Sequence, residues 1–242
     1  MSAQAIDPAR IVDLTYPFNE HTVYWPNNDE GFRHKRDVWG ATDAGSWYAS
    51  AQFSSAEHGG THLDSPIHFA EGKWTVEQIP VQRLAGPLAL IDVSAAAAKD
   101  RDYRATLRDL LTWEKANGRI APGMIVIFRT GWGRHWPNRK QYLGSDVPGD
   151  VTNLHFPGIS GEVAMLLVVR QVAGVGIDTA SIDYGPEQTF VAHRILLGAN
   201  IYALENVANI DRLPAKGATL IALPMKIEGG SGAPVRIIAI VP

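Results

Sequence analysis

Four side chains able to ligate a metal fall within eleven residues: His58, His62, Asp64 and His68, in the run His58-Gly59-Gly60-Thr61-His62-Leu63-Asp64-Ser65-Pro66-Ile67-His68. Imidazole and carboxylate suit divalent ions such as zinc or manganese. All four stand at even positions, so a locally extended chain projects them to one side. Fully extended, the run would spread them over roughly 30 Å, too far to share one ion. Gly59, Gly60 and Pro66 supply the bends that fold it back on itself. His58, His62 and Asp64 make a facial set of two histidines and a carboxylate, which leaves positions open for water and substrate. Open positions indicate chemistry rather than a structural plug. His68 is then a fourth ligand or a free acid/base beside the metal. Thr61 and Ser65 are hydroxyls placed to brace the ligands.

A second set lies far along the chain. His193 sits in a helical pattern, Gln188 to Leu197, and Glu205 ends the apolar run Ile201 to Leu204. Asp178 follows Gly174-Val175-Gly176-Ile177, with Asp183 shortly after. Polar groups at the ends of apolar strands often face a site.

These residues need a scaffold, and the pattern supplies one. Apolar runs of β character recur at Ile11–Leu14, Leu88–Val93, Met124–Phe128, Val175–Ile177, Ile201–Leu204, Thr219–Leu223 and Val235–Val241. Each is bounded by Gly, Pro, Asp or Asn, as short strands are. Helices are expected at Thr106–Asn117, with Thr106 as cap and Asp109 three residues on, at Ser160–Val172, and at Gln188–Leu197. The reading is α/β, one domain over residues 1–242. Asn19 to Ser55 has no firm period but is rich in aromatics, among them Tyr24, Trp25, Trp39, Trp47 and Tyr48. Such a loop either packs on the core or a neighbouring subunit, or walls a substrate pocket. On the second reading Tyr24, Trp25 and Trp47 are the aromatics placed to stack on a substrate. Gly229 to Gly232 lacks a following Lys-Ser/Thr and reads as a tight turn between strands rather than a phosphate loop.

Composition excludes several classes. The chain has 242 residues, a net charge of −3 and no cysteine, so disulfides, iron–sulfur clusters and thiolate metal sites are out. No polybasic run argues for nucleic acid or a membrane surface. No apolar stretch is long enough to span a bilayer. Met1 to Arg10 carries neither a secretory apolar core nor an Arg-rich amphipathic pattern, so a cytoplasmic location is expected.

The run His58-x-Gly60-Thr61-His62-x-Asp64-x-Pro66-x-His68 resembles the signature of the cyclase-family metal hydrolases, which include bacterial kynurenine formamidases and isatin hydrolases. The resemblance extends through Asp13-Leu14-Thr15, Arg129-Thr130-Gly131-Trp132, Phe156-Pro157-Gly158-Ile159, Gly176-Ile177-Asp178-Thr179 and Pro224-Met225-Lys226-Ile227 to Gly230–Arg236. It implies a swivelling β/β/α fold with a central mixed β structure, few helices, and one or two divalent ions, Mn²⁺ or Zn²⁺. By motif position His58, His62 and Asp64 match the first-metal ligands. Asp64 bridges to a second ion held by His193 and Glu205 in the formamidase branch, and His68 matches the acid/base histidine. The twelve-residue step from His193 to Glu205 fits the formamidase branch, whereas Lys226-Ile227 followed by Gly229–Gly232 looks nearer the isatin hydrolases. The implied reaction is hydrolysis of an aromatic amide or lactam by a metal-activated water, in a homodimer or homotetramer. Two rivals stand beside it: a non-haem Fe(II) oxygenase, which suits the same facial triad, and a non-catalytic metal-stabilised scaffold.

Overall fold

Seven strands close into a ring. The computed structural model describes residues 6–28 and 30–242, and its strands are β1 (Ile11–Asp13), β2 (Arg33–Ala41), β3 (Trp47–Ser54), β4 (His62–Asp64), β5 (Ala85–Asp92), β6 (Arg104–Ala105), β7 (Ile125–Arg129), β8 (Gly158–Ile159), β9 (Gly174–Ile177), β10 (Tyr202–Glu205), β11 (Lys216–Pro224) and β12 (Gly232–Ile240). Strand order in the main sheet is β1-β12-β11-β5-β7-β9-β10-β4, and β12 also pairs with β4. One long strand makes this possible: β12 pairs with β11 through Val235–Ile240 and with β4 through Gly232–Pro234. Closure pairs each of the seven ring strands on both sides, leaving β1 as an added strand beside β12.

Every run expected to be a strand is one. In the main sheet, pairs β5/β7, β7/β9 and β9/β10 are parallel and the remaining pairs antiparallel. The parallel strands are apolar on both faces because both are covered. Leu88 and Leu90 of β5, with Ile125 and Ile127 of β7, join Leu63, Leu204, Leu220 and Ile237 in one cluster. The alternate residues Ala89, Ile91, Val126 and Phe128 pack instead under the helices, against Leu110, Trp113, Val163, Leu167 and Leu196.

Five short α-helices occur among the described residues: α1 (Ser94–Ala97), α2 (Leu107–Asn117), α3 (Arg139–Leu143), α4 (Gly161–Val169) and α5 (Val191–Gly198). Thr106 and Asp109 form the expected capping box on α2. Arg170 donates two 2.8 Å hydrogen bonds to Glu114, tying the end of α4 to α2. Helix α4 stops earlier than the pattern suggested because Gln171 turns to φ +57. Helix α5 starts three residues late for a similar reason, with Phe190 left-handed at φ +51.

The longest element that sequence pattern missed is the β2/β3 hairpin, which occupies most of the segment between Asn19 and Ser55 expected to be irregular; the short β4, β6, β8, α1 and α3 were also not anticipated. Its turn, Thr42 to Ser46, has Gly45 at φ +79. Alternation in β3 was the readable signal: Trp47, Ala49, Ala51 and Phe53 on one face, Tyr48, Ser50, Gln52 and Ser54 on the other. Nearly every residue of this ribbon is exposed. No helix among the described residues is long and apolar enough to cross a membrane.

Candidate metal centre and substrate cavity

Strand register builds the site. On β4, His62 and Asp64 share a face while Leu63 points into the core. In the antiparallel β4/β10 ladder His62 stands opposite Glu205, so residues remote in sequence meet on one face. Just before the strand, Gly59 and Gly60 turn the chain so that His58 swings back over it. Gly60 is left-handed at φ +57, and a Cβ on Gly59 would collide with the Tyr24 ring. Pro66 then opens a 3₁₀ turn ending at His68, whose ring stacks on His58 at 3.8 Å.

The fourth part comes from α5. Asp183 accepts hydrogen bonds from the backbone N–H of Ala192 and of His193, at 2.8 and 3.1 Å. It thereby holds the start of the helix and, through a 2.7 Å contact with His193 Nδ1, the ring as well. This explains the late start of α5.

The result is two candidate ligand triads that share one carboxylate: His58, His62 and Asp64, and Asp64, His193 and Glu205, with the potential ligand atoms of each within 4.8 Å of one another. Asp64 Oδ1 lies 2.7 Å from His58 Nδ1 and 3.1 Å from His62 Nε2. Its Oδ2 lies 3.2 Å from His193 Nε2, which is also 3.2 Å from Glu205 Oε1. The donor set fits a divalent ion. His62 gives its Nδ1–H to the Gly60 carbonyl at 3.0 Å, and His193 turns Nδ1 to Asp183. Each ring therefore aims Nε2 into the cluster, the orientation a metal requires.

Electrostatics point the same way. Burial pushes the Glu205 carboxyl up, and the nearby Asp64 charge adds to it. For His62, burial favours the neutral ring but is outweighed by Asp64 and Glu205, which raise it to about 9. Burial of His193 is likewise outweighed by Asp183, Asp64 and Glu205, which raise it well above the ordinary value. Without an ion, protons on these rings balance two buried carboxylates; a divalent cation would take their place. His68 behaves oppositely. Burial takes it down to about 4, and the neighbouring histidines add to that against the pull of Asp64. A neutral imidazole beside a metal centre has a free lone pair with which to accept a proton.

The cluster floors a cavity of about 300 Å³. Tyr24 and Trp25 line it as expected, joined by Phe69 and Phe190, which the sequence reading missed. Trp25 meets the Phe156 ring edge-on at 6.3 Å, and Phe69 meets His193 at 4.7 Å. Trp47 is not in this wall: β3 carries it outward, 67% exposed, edge-on to Trp39. Asp178 is also elsewhere; it accepts hydrogen bonds from Thr130 N, Thr130 Oγ1 and Trp132 N and so clamps that turn. A larger open cleft, about 610 Å³, lies beside Arg129, Arg134 and Asp211. The clusters among the described residues that could hold a metal ion lie in the smaller cavity, which makes it the candidate site.

Asn206, unmarked by sequence, stitches the centre together. Its Nδ2 donates to the Gly60 carbonyl at 2.6 Å, its Oδ1 accepts from Tyr142, and its carbonyl accepts from Thr61 Oγ1. Ser65 donates to the carbonyls of Gly230 and Ser231 rather than to a ligand.

Residues 12–184 match the family model described as "Putative cyclase". The chain is 36% identical over 206 residues to the isatin hydrolase of Roseibium aggregatum, covering 82% of this chain and 77% of that one. It is 27% identical to a kynurenine formamidase of Bacillus cereus, over 94% of this chain and 95% of that one. A crystal structure of an isatin hydrolase bound to the product analogue thioisatinate superposes with a TM-score of 0.88 at 31% identity, covering 96% of this chain and 92% of that one. The chain belongs to the cyclase family. It is a hydrolase of that family, with the α/β fold the motif implied.

Proposed function

We propose that the chain hydrolyses a carbon–nitrogen bond in an aromatic lactam or aryl amide, with isatin-type ring opening as the leading reading. The observation that carries it is His68: neutral, in neither ligand triad, and stacked on His58 in an aromatic-walled cavity. His58, His62 and Asp64 would hold one divalent ion, and Asp64, His193 and Glu205 a second. Lacking thiolate, the donor set suits Mn²⁺ or Zn²⁺. When bound, such an ion supplies Lewis acidity that polarises a carbonyl and acidifies water. Trp25, Phe69 and Phe190 clasp the flat aromatic part of the substrate and exclude water around it. The His68 ring takes a proton from the attacking water and returns one to the departing nitrogen.

The shared Asp64 favours a second reading, a two-ion N-formylkynurenine formamidase. An Fe(II) oxygenase leaves His193 and Glu205 without a task, and a mere scaffold leaves His68 without one. The discriminating experiment supplies isatin and N-formylkynurenine side by side to metal-stripped protein with Mn²⁺ or Zn²⁺ restored. Metal-dependent opening of isatin supports the lactam reading, and release of formate moves the assignment to the formamidase. Activity on neither would refute both. A homodimer or homotetramer is part of the proposal, since an isolated two-stranded ribbon is marginal in water and this one exposes Val38, Trp39, Trp47, Tyr48 and Phe53. Light scattering at micromolar concentration tests it, and a monomer would refute it.

A further inference from the structure

His58 differs from the other two histidines in how it is held. Its Nδ1, not Nε2, faces Asp64 at 2.7 Å. Its Nε2 lies 2.8 Å from Ser231 Oγ, in the glycine-rich stretch Gly229–Gly232. That hydroxyl is already committed: Ser231 Oγ donates to Glu57 Oε2 at 2.6 Å. The same carboxylate oxygen accepts the backbone N–H of Ser231 at 2.8 Å and of Gly232 at 3.3 Å. A carboxylate only accepts, so the Ser231 proton points to Glu57 and its lone pairs face His58. His58 must then carry its proton on Nε2, which leaves the Nδ1 lone pair for an ion.

The backbone around Ser231 is fixed from two more sides. Ser65 N and Oγ both donate to the Ser231 carbonyl, at 2.9 and 2.6 Å. Gly232, paired with Asp64 in the β12/β4 ladder, has no room for a side chain: a Cβ there would come within 2.5 Å of His58 Cε1 and 2.7 Å of the Leu63 carbonyl. The glycine-rich turn is thus more than a connection between strands. It presses a hydroxyl against the back of the first ligand.

We infer that Ser231, oriented by Glu57, is a positioning residue that fixes His58 in its Nε2–H tautomer and so sets how tightly the first triad holds a divalent ion. The inference rests on the metal-centre reading above, but not on the identity of the substrate. Partners behind a metal-bound imidazole commonly change metal affinity by about 10- to 100-fold.

The experiment titrates metal-stripped protein with Mn²⁺ or Zn²⁺ against a chromophoric chelator, with no substrate present. It compares wild type with Ser231→Thr, which keeps the hydroxyl, and Ser231→Val, which keeps the shape and removes it. The expected result is affinity near wild type for Thr and a loss of about 10-fold or more for Val. Glu57→Ala, which frees the hydroxyl to turn, is expected to weaken binding in the same direction, and it decides the matter if Val does not fold. Thr and Val equal in affinity, or Glu57→Ala as tight as wild type, would overturn the inference while leaving the metal centre standing. Wild type that binds no ion would overturn the centre and this inference together.

Discussion

Two stretches of this chain are dense in side chains that suggest function, and the fold treats them in opposite ways. His58 to His68 is folded inward until ligands from four places converge on Asp64. Trp39 to Phe53, equally suggestive on paper, runs out into solvent as a ribbon whose long contacts are with itself. The difference lies in what each strand pairs with. Strand β4 is held on both sides, by β10 and by β12, so its polar face is forced into the protein and must be satisfied there. Strands β2 and β3 pair only with each other. Residue type marks potential chemistry; pairing decides whether it becomes a site.

The sharpest way to break this comparison is at the shared carboxylate. Asp64→Ala removes a ligand from both triads, and the expected outcome is loss of stoichiometric metal, read by elemental analysis, with hydrolysis at background. Second in size is His68→Ala. Metal content is expected to stay at the wild-type level while kcat falls by about 10²- to 10⁴-fold, the usual range for a positioned acid/base. A scaffold protein would show no such split. Third, Trp25→Ala removes part of the aromatic wall and is expected to raise KM by about 2- to 10-fold, from a contact of about 0.5–1.5 kcal/mol.

A pH series tests the buried charges. His62 ionises near 6.5 when unfolded and near 9 in the folded, metal-free protein. Its proton therefore stabilises the fold fully below about 6.5, and that contribution is lost as pH rises through about 9. Thermal melts of metal-free protein should show Tm falling across this window, and saturation with metal should flatten the curve. A metal-free Tm that rises there would contradict the assignment. The smallest effect belongs to the ribbon: Trp47→Ala should leave kcat and KM within about twofold, because that side chain is outside the wall. Shortening the hairpin should preserve metal binding and abolish self-association in light scattering.

Much of this was legible beforehand, for identifiable reasons. The parallel strands β7, β9 and β10 announce themselves because they are covered on both faces and so read as unbroken apolar runs. The first triad is legible because its ligands are local, with glycines and a proline marking the bends. His193 and Glu205 stood out as a second set from their own positions, but their link to Asp64 was visible only through resemblance, since it is made by ladder register and a helix cap, neither of which leaves a local pattern. Asn206 and Ser231 were invisible for the same reason: each acts through a ring or carbonyl distant in sequence. Trp47 was misplaced because a surface ribbon and a pocket wall use the same aromatics.

Asp64 as the meeting point of two ligand sets is the claim on which the rest depends. The most direct measurement is anomalous diffraction from crystals of the protein loaded with Mn²⁺ or Zn²⁺. A peak bounded by His58 Nδ1, His62 Nε2 and Asp64 is the predicted result, with any second peak between Asp64, His193 and Glu205. No peak in this cavity, or an ion held without Asp64, would contradict it.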